Sequence, residues 1–170
     1  MVAYVLYGVV VLLLLVLLMV TGISCMKRDT EQWRTQDVRG PGEGWVSFQS
    51  SCYLLSTSTS MWSGAEEACQ RLGAHLLVVN SREELVSTVG LGSHHWIGLV
   101  EWHQEGNWTW VDGTDYNLTP KFWAPNQPDN WALRKNGEDC GEIYNNLPLS
   151  RQIWNDADCS LKHRYICESR

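Results

Sequence analysis

A chain of 170 residues with a formal net charge of −6 has room for one ordinary domain and a short accessory segment, not for two large domains. The acidic balance suits cation binding and argues against a nucleic-acid partner, which would call for a basic stripe. Its six cysteines form no CxxC pair, which speaks against dithiol redox catalysis and a zinc knuckle.

In chain order, residues 1–24 come first. From Val2 to Ser24 there is no charged residue, and Val9 to Val20 is Val, Leu and Met throughout. At 1.5 Å per residue that run can cross about 30 Å of hydrocarbon. Nothing basic precedes it, which favours an uncleaved signal anchor; Gly22 and Ser24 before Cys25 keep a cleaved signal peptide and a secreted product as the alternative. Lys27 and Arg28 follow the run, and the positive-inside rule would hold that flank in the cytosol. The cysteines and two glycosylation sequons argue the reverse. The expectation is therefore a single-pass type II plasma-membrane protein whose C-terminal domain lies outside the cell. Residues 25–44 are polar, carry Gly40-Pro41-Gly42 and lack an apolar heptad, as a short stalk does.

Residues 45–170 read as one folded domain. Trp45 to Leu55 alternates loosely as a strand ending in a Ser/Thr-rich turn. Trp62, Ala65, Cys69 and Leu72 recur at spacings of three and four, one apolar stripe on a helix beginning near Ser60. His75 to Val79 is a short apolar segment. Ser81 with Glu84 makes a capping box that opens a second helix to about Val89. Beyond Trp96 no helical period persists. Trp96 to Leu99, Trp108 to Val111, Asp139 to Tyr144, Gln152 to Trp154 and Arg164 to Cys167 read as short strands, and Phe122 to Arg134 as a long loop. The class is α+β with much irregular chain, and a loop region that long is usually functional.

That loop region concentrates oxygen ligands. Gln127, Asp129, Glu138, Asn155 and Asp156 supply amide and carboxylate oxygens, which suits Ca²⁺, a hard cation that takes six to eight of them. Neither histidine nor paired thiolate lies among these residues, so zinc is a weak reading there. Trp131 adds an aromatic face. Adjacent His94 and His95 would point to opposite faces of a strand, and the ordinary reading is two structural histidines. Ser, His and Asp occur without a nucleophile elbow or other local signature, so no enzyme is expected. In an extracellular chain the cysteines read as a disulfide framework of undetermined pairing. Asn107-Trp108-Thr109 and Asn117-Leu118-Thr119 are the sequons, with Asn117 the better placed.

Over about Trp45 to Glu168 the chain resembles the C-type lectin-like domain. The residues that carry the resemblance are the Cys69 helix, Trp96-Ile97-Gly98-Leu99, Trp108-Thr109-Trp110-Val111-Asp112-Gly113, Glu138-Asp139-Cys140, Trp154-Asn155-Asp156 and the closing Cys167. Within that family it looks like the group of the type II hepatic asialoglycoprotein receptor and the macrophage galactose lectin. This resemblance implies Cys69 paired with Cys167 and Cys140 with Cys159. Cys52 then has three fates: a bond to Cys25, a bond to another chain, or a buried thiol. It also implies a primary Ca²⁺ held by Gln127, Asp129, Glu138, Asn155 and Asp156. The sugar would be bound by Gln127, Asp129, Trp131, Glu138 and Asn155. A second Ca²⁺ would sit on Glu101, Glu105, Asn130 and Asp139, with Glu138 beside them; the bland alternative is a solvated acidic loop. Pro128 should follow a cis bond.

In the family, Gln-Pro-Asp accompanies galactose-type ligands and Glu-Pro-Asn mannose-type ligands. The implied function is a calcium-dependent receptor for terminal galactose or N-acetylgalactosamine, in glycoprotein uptake or pathogen recognition. Its partners would be glycans and glycoproteins, the membrane, and further copies of itself, because one site binds weakly and avidity needs clustering. Between Trp131 and Glu138 the chain is shorter than galactose-binding relatives and has a single glycine. A mannose/fucose-type lectin, and a calcium-independent lectin-like receptor for a protein ligand, therefore stand as alternatives.

Overall fold

The structure is a computed structural model, and it describes residues 44–88, 94–131, 133, 135–144 and 153–170. The expected membrane segment and most of the expected stalk lie outside the described residues; no described helix is long and apolar enough to cross a membrane.

The strands are β1 Trp45–Phe48, β2 Ser51–Leu55, β3 His75–Leu76, β4 His94–Glu101, β5 Trp108–Trp110, β6 Cys140–Tyr144, β7 Trp154–Ala157 and β8 Arg164–Ser169. The helices are α1 Trp62–Arg71 and α2 Arg82–Thr88. What reads in sequence as one strand from Trp45 to Leu55 is a hairpin, because Gln49 turns the chain with φ +52° and pairs Phe48 with Ser51. The main path of the sheet runs β1-β2-β8-β4-β6-β7, with β3 on β8 and β5 on β4. A parallel step, His95 opposite Arg164 and Trp96 opposite Tyr165, joins the two halves.

Helix α1 buries the stripe its spacing implies: Trp62, Ala65 and Cys69 face inward. Trp62 donates its indole N–H to the carbonyl of Ile97 at 2.8 Å, and Trp96 returns one to Ser60 at 2.9 Å, so two large side chains go in without an orphaned donor. At the start of α2 the Ser81 hydroxyl accepts the Glu84 N–H at 3.1 Å. Glu84 reaches back to the N–H of Asn80, one residue before Ser81, a shifted form of the expected capping box.

Strand β4 is buried along almost its whole length, since β8 and β6 flank it and both of its faces are covered. Gly98 allows this closeness: a Cβ there would meet the carbonyl oxygen of Leu76 at 2.7 Å and Val111 at 2.6 Å. Beyond β4 an aromatic core forms from Trp108, Trp110, Phe122, Trp123 and Trp154, with ring centroids 4.8–5.7 Å apart. Trp123 belongs to this core, whereas Trp102 is 58% exposed and packs edge-on against Trp62.

Two disulfides tie the irregular parts. Cys69–Cys167 joins α1 to β8 across 98 residues and Cys140–Cys159 spans 19, both as the resemblance implies. On the loop-entropy account they restrict the unfolded chain by roughly 5 and 3 kcal/mol. Cys52 is also disulfide-bonded, which removes the buried-thiol reading; its partner lies outside the described residues.

Candidate functional site

Three pieces of chain meet beyond the C-terminal end of β4: the turn after Glu101, the long loop from Phe122 to Asp139, and strand β7. The long loop is pinned at its base by the aromatic core, with the Ala124 N–H donating to the carbonyl of Trp154 at 2.8 Å. Its tip reverses at Gln127-Pro128, a cis peptide bond as expected, between Asn126 at φ +70° and Asn130 at φ +38°. Asparagine tolerates that left-handed region better than most residues.

The side chains singled out in the sequence also fold the loop. Asp156 is 1% exposed and accepts the backbone N–H groups of Asp129 at 3.0 Å and Asn130 at 2.7 Å. Glu138 accepts the N–H of Trp131 at 2.8 Å, and its own N–H donates to Asn130 Oδ1 at 3.2 Å. Oxygens of Asp129, Glu138 and Asp156 consequently lie within 4.8 Å of one another. Burial pushes the Asp156 carboxyl above the usual carboxylate range; the N–H groups of Asn130 and Asp129 oppose that and the Asp129 charge adds to it.

Gln127 and Asn155 complete the primary set differently. The side-chain oxygen Oε1 of Gln127 is buried and makes no hydrogen bond among the described residues. Asn155 donates through Nδ2 to the carbonyl of Asp156 at 2.5 Å and to Glu142 Oε1 at 3.0 Å. Trp131 holds its indole 49% exposed next to the turn.

A second cluster gathers Glu101, Glu105 and Asp139 within the same 4.8 Å, and Asn130 Nδ2 reaches Glu105 at 2.5 Å. Glu101 is pushed up to about 7 by burial, then by the Glu105 charge. Asp139 is raised by burial and by Asp158. One oxygen of Glu101 accepts the Gly106 N–H at 2.8 Å, while the other is buried without a hydrogen bond among the described residues.

A buried oxygen with no hydrogen bond among the described residues thus belongs to Glu101 in the second cluster and to Gln127, two residues before Asp129 of the first, a costly arrangement for a polar atom. Both donor sets are oxygen only. The residues fit Ca²⁺, whose shell would take up those oxygens and offset the mutual repulsion of the carboxylates.

Both sequon asparagines, Asn107 and Asn117, are exposed. Two contributors were not legible in the sequence. Asp158 accepts from Asn136 Nδ2 at 3.1 Å and from the Ser160 N–H at 2.9 Å, tying the far end of the loop to the Cys159 turn. Glu142 faces Asn155 across β6 and β7. Only cross-strand register brings Glu142 and Asn155 together, and no local spacing announces it.

Comparison with known proteins gives a consistent picture. Residues 58–169 match the model of the Lectin C-type domain. Asialoglycoprotein receptor 2 of Mus musculus is 46% identical over 130 residues, covering 74% of this chain and 41% of that protein, so the chain spans about two fifths of the length of that relative. A solved mouse scavenger receptor C-type lectin carbohydrate-recognition domain superposes with TM-score 0.64 at 35% identity, covering 76% of this chain and 95% of that one. The trimeric structure of the Kupffer cell C-type lectin receptor Clec4f gives TM-score 0.63 at 37% identity, covering 74% and 82%.

Proposed function

The chain belongs to the C-type lectin family, with a domain related to the asialoglycoprotein receptors, and from that premise we propose that it is a calcium-dependent receptor for terminal galactose or N-acetylgalactosamine. The observation that carries the proposal is the buried, donorless Oε1 of Gln127 in the turn that brings Asp129 onto Glu138 and Asp156. An oxygen so placed fits a cation better than a solvated acidic loop.

Gln127, Asp129, Glu138, Asn155 and Asp156 would hold the primary ion. Asn155 would serve through Oδ1, with Nδ2 remaining on Glu142. Glu101, Glu105, Asn130 and Asp139 would hold a second ion that fixes the loop. Bound Ca²⁺ supplies coordination positions at which two neighbouring sugar hydroxyls can replace water. The chain's own side chains then decide which sugar is held. Asp129 and Glu138 accept hydroxyl protons, while the NH₂ groups of Gln127 and Asn155 donate to hydroxyl lone pairs. Amide before the proline and carboxylate after it set the sense of that donor and acceptor pattern, and in the family this order accompanies galactose. Trp131 would cover the apolar face of the ring. A type II plasma-membrane placement with the lectin domain outside, glycosylation at Asn117 or Asn107, and a role in glycoprotein uptake or pathogen recognition complete the proposal.

The donor and acceptor argument has a direct test. The double substitution Gln127→Glu with Asp129→Asn exchanges the two functions, and competition by free sugars should move from galactose toward mannose by at least about tenfold, or 1.4 kcal/mol. Unchanged galactose preference would show that the turn does not set the selectivity.

A further inference from the structure

Away from the oxygen-rich loops, three side chains that the lectin reading does not use converge across β4, β6 and the start of β8. His94 lies on β4, Glu142 on β6, and His163 immediately precedes β8. His94 Nδ1 is 2.7 Å from Glu142 Oε2, and His163 Nε2 is 3.5 Å from the same oxygen. Each of the three residues offers a ligand atom within 4.8 Å of the other two. Expecting His94 and His95 to point apart is correct, since His95 is 2% exposed and His94 looks outward. Pairing His94 instead with a residue 69 positions away (163 − 94) is a product of the parallel β4–β8 step, which no sequence spacing shows.

The geometry is held in place. Tyr144 stacks on His94 at 4.3 Å, His94 on His163 at 4.9 Å, and Trp96 meets His163 edge-on at 4.6 Å. Glu142 is fixed from its other oxygen by Asn155 Nδ2. His163 Nε2 is buried and makes no hydrogen bond among the described residues, so its lone pair or proton lacks a proper partner. Metal bonds of 2.0–2.2 Å at tetrahedral angles place neighbouring ligand atoms about 3.3 Å apart, and the two measured separations bracket that spacing.

We infer that His94 Nδ1, Glu142 Oε2 and His163 Nε2 form a binding site for a divalent cation of the zinc class, separate from the calcium loops. Two imidazoles and one carboxylate suit Zn²⁺ and its d-block neighbours, whereas Ca²⁺ takes oxygen. The His94 side chain is 42% exposed, which gives the ion an entry path and leaves a fourth position open to water. Burial holds His163 below its ordinary range, so its neutral ring offers a lone pair near pH 7, whereas the Glu142 hydrogen bond raises His94, whose proton the ion would displace. Asn155, the hydrogen-bond partner of Glu142, acts as the outer partner that orients the ligating carboxylate.

The test uses the untagged full chain in detergent, saturated with Ca²⁺ and titrated with Co²⁺ as a coloured stand-in for Zn²⁺. The expected result is a one-to-one visible absorption band that Zn²⁺ displaces. It should weaken at least about tenfold in His94→Gln and in His163→Gln and persist in Asp129→Asn. No band in the calcium-saturated chain, a band that survives the histidine substitutions, or one lost in Asp129→Asn would overturn the inference. His94→Gln, at the exposed edge, decides the matter if near-ultraviolet circular dichroism shows that His163→Gln has lost its fold. The readout is metal absorption, so it stands whether or not the chain binds galactose.

Discussion

At the scale of single residues, Trp131 separates two jobs that sit a few ångströms apart. Its backbone N–H supports Glu138, while its indole stands half exposed, so trimming the side chain should leave the loop intact. Trp131→Ala is expected to weaken galactose binding by about 0.5–1.5 kcal/mol, the usual worth of an aromatic contact, with calcium affinity unchanged by calorimetry. A parallel loss of calcium affinity would mean that the indole supports the loop rather than the sugar. Residue chemistry was largely legible in the sequence here. Oxygen donors, a proline and one aromatic within a short stretch already specify a hard cation and an apolar ring. Two things were hidden, namely which oxygens lack a hydrogen bond and the contact of Asn155 Nδ2 with Glu142. Both depend on what packs beside them.

Among the elements, β4 shows how packing overrides reading by spacing. Its flanks by β8 and β6 make it continuous and buried, and it depends on Gly98 to approach the backbone at Leu76 and Leu77. A Cβ at that position meets carbonyl oxygens that belong to the sheet and have little freedom to move. Gly98→Ala is therefore expected to cost roughly 1–3 kcal/mol, seen as a lower urea midpoint without a change in slope; an unaltered midpoint would show that the sheet yields locally. Helices were the most legible elements, since α1 follows its apolar stripe and α2 its Ser81 and Glu84 signals. The β1–β2 hairpin reads in sequence as one strand because its turn at Gln49 carries no glycine or proline. The strand expected to end at Trp154 instead runs Trp154–Ala157, because the ladder to β6 fixes that pairing.

For the molecule as a whole, the two acidic clusters would, as proposed calcium sites, link calcium, stability and pH. Glu101 lies near 7 in the fold against 4.5 for the free side chain, and Asp139 and Asp156 are raised in the same direction. With pKa values raised on folding, the folded chain binds more protons than the unfolded one between those limits. For Glu101 the stability so contributed is fully present below about 4.5 and is lost as pH rises through about 7, and Asp139 and Asp156 act in the same sense. Calcium bound as proposed would reverse the trend, because its ligands must be ionised and it would stabilise the fold to which it binds. In thermal melts the increase in Tm caused by Ca²⁺ should be larger at about pH 7.5 than at about pH 5.5. An equal increase at both would contradict the assignment of these carboxylates as ligands. The same linkage would weaken sugar binding in acidic compartments.

Lectin identity rests on the match over residues 58–169; the choice of sugar rests on one turn. Glycan-array binding by the full chain, with calcium and again with EDTA, tests that central claim most directly. Binding to glycans ending in galactose or N-acetylgalactosamine that disappears in EDTA is the predicted result. Binding that persists in EDTA, or calcium-dependent binding confined to mannose or fucose, would contradict it.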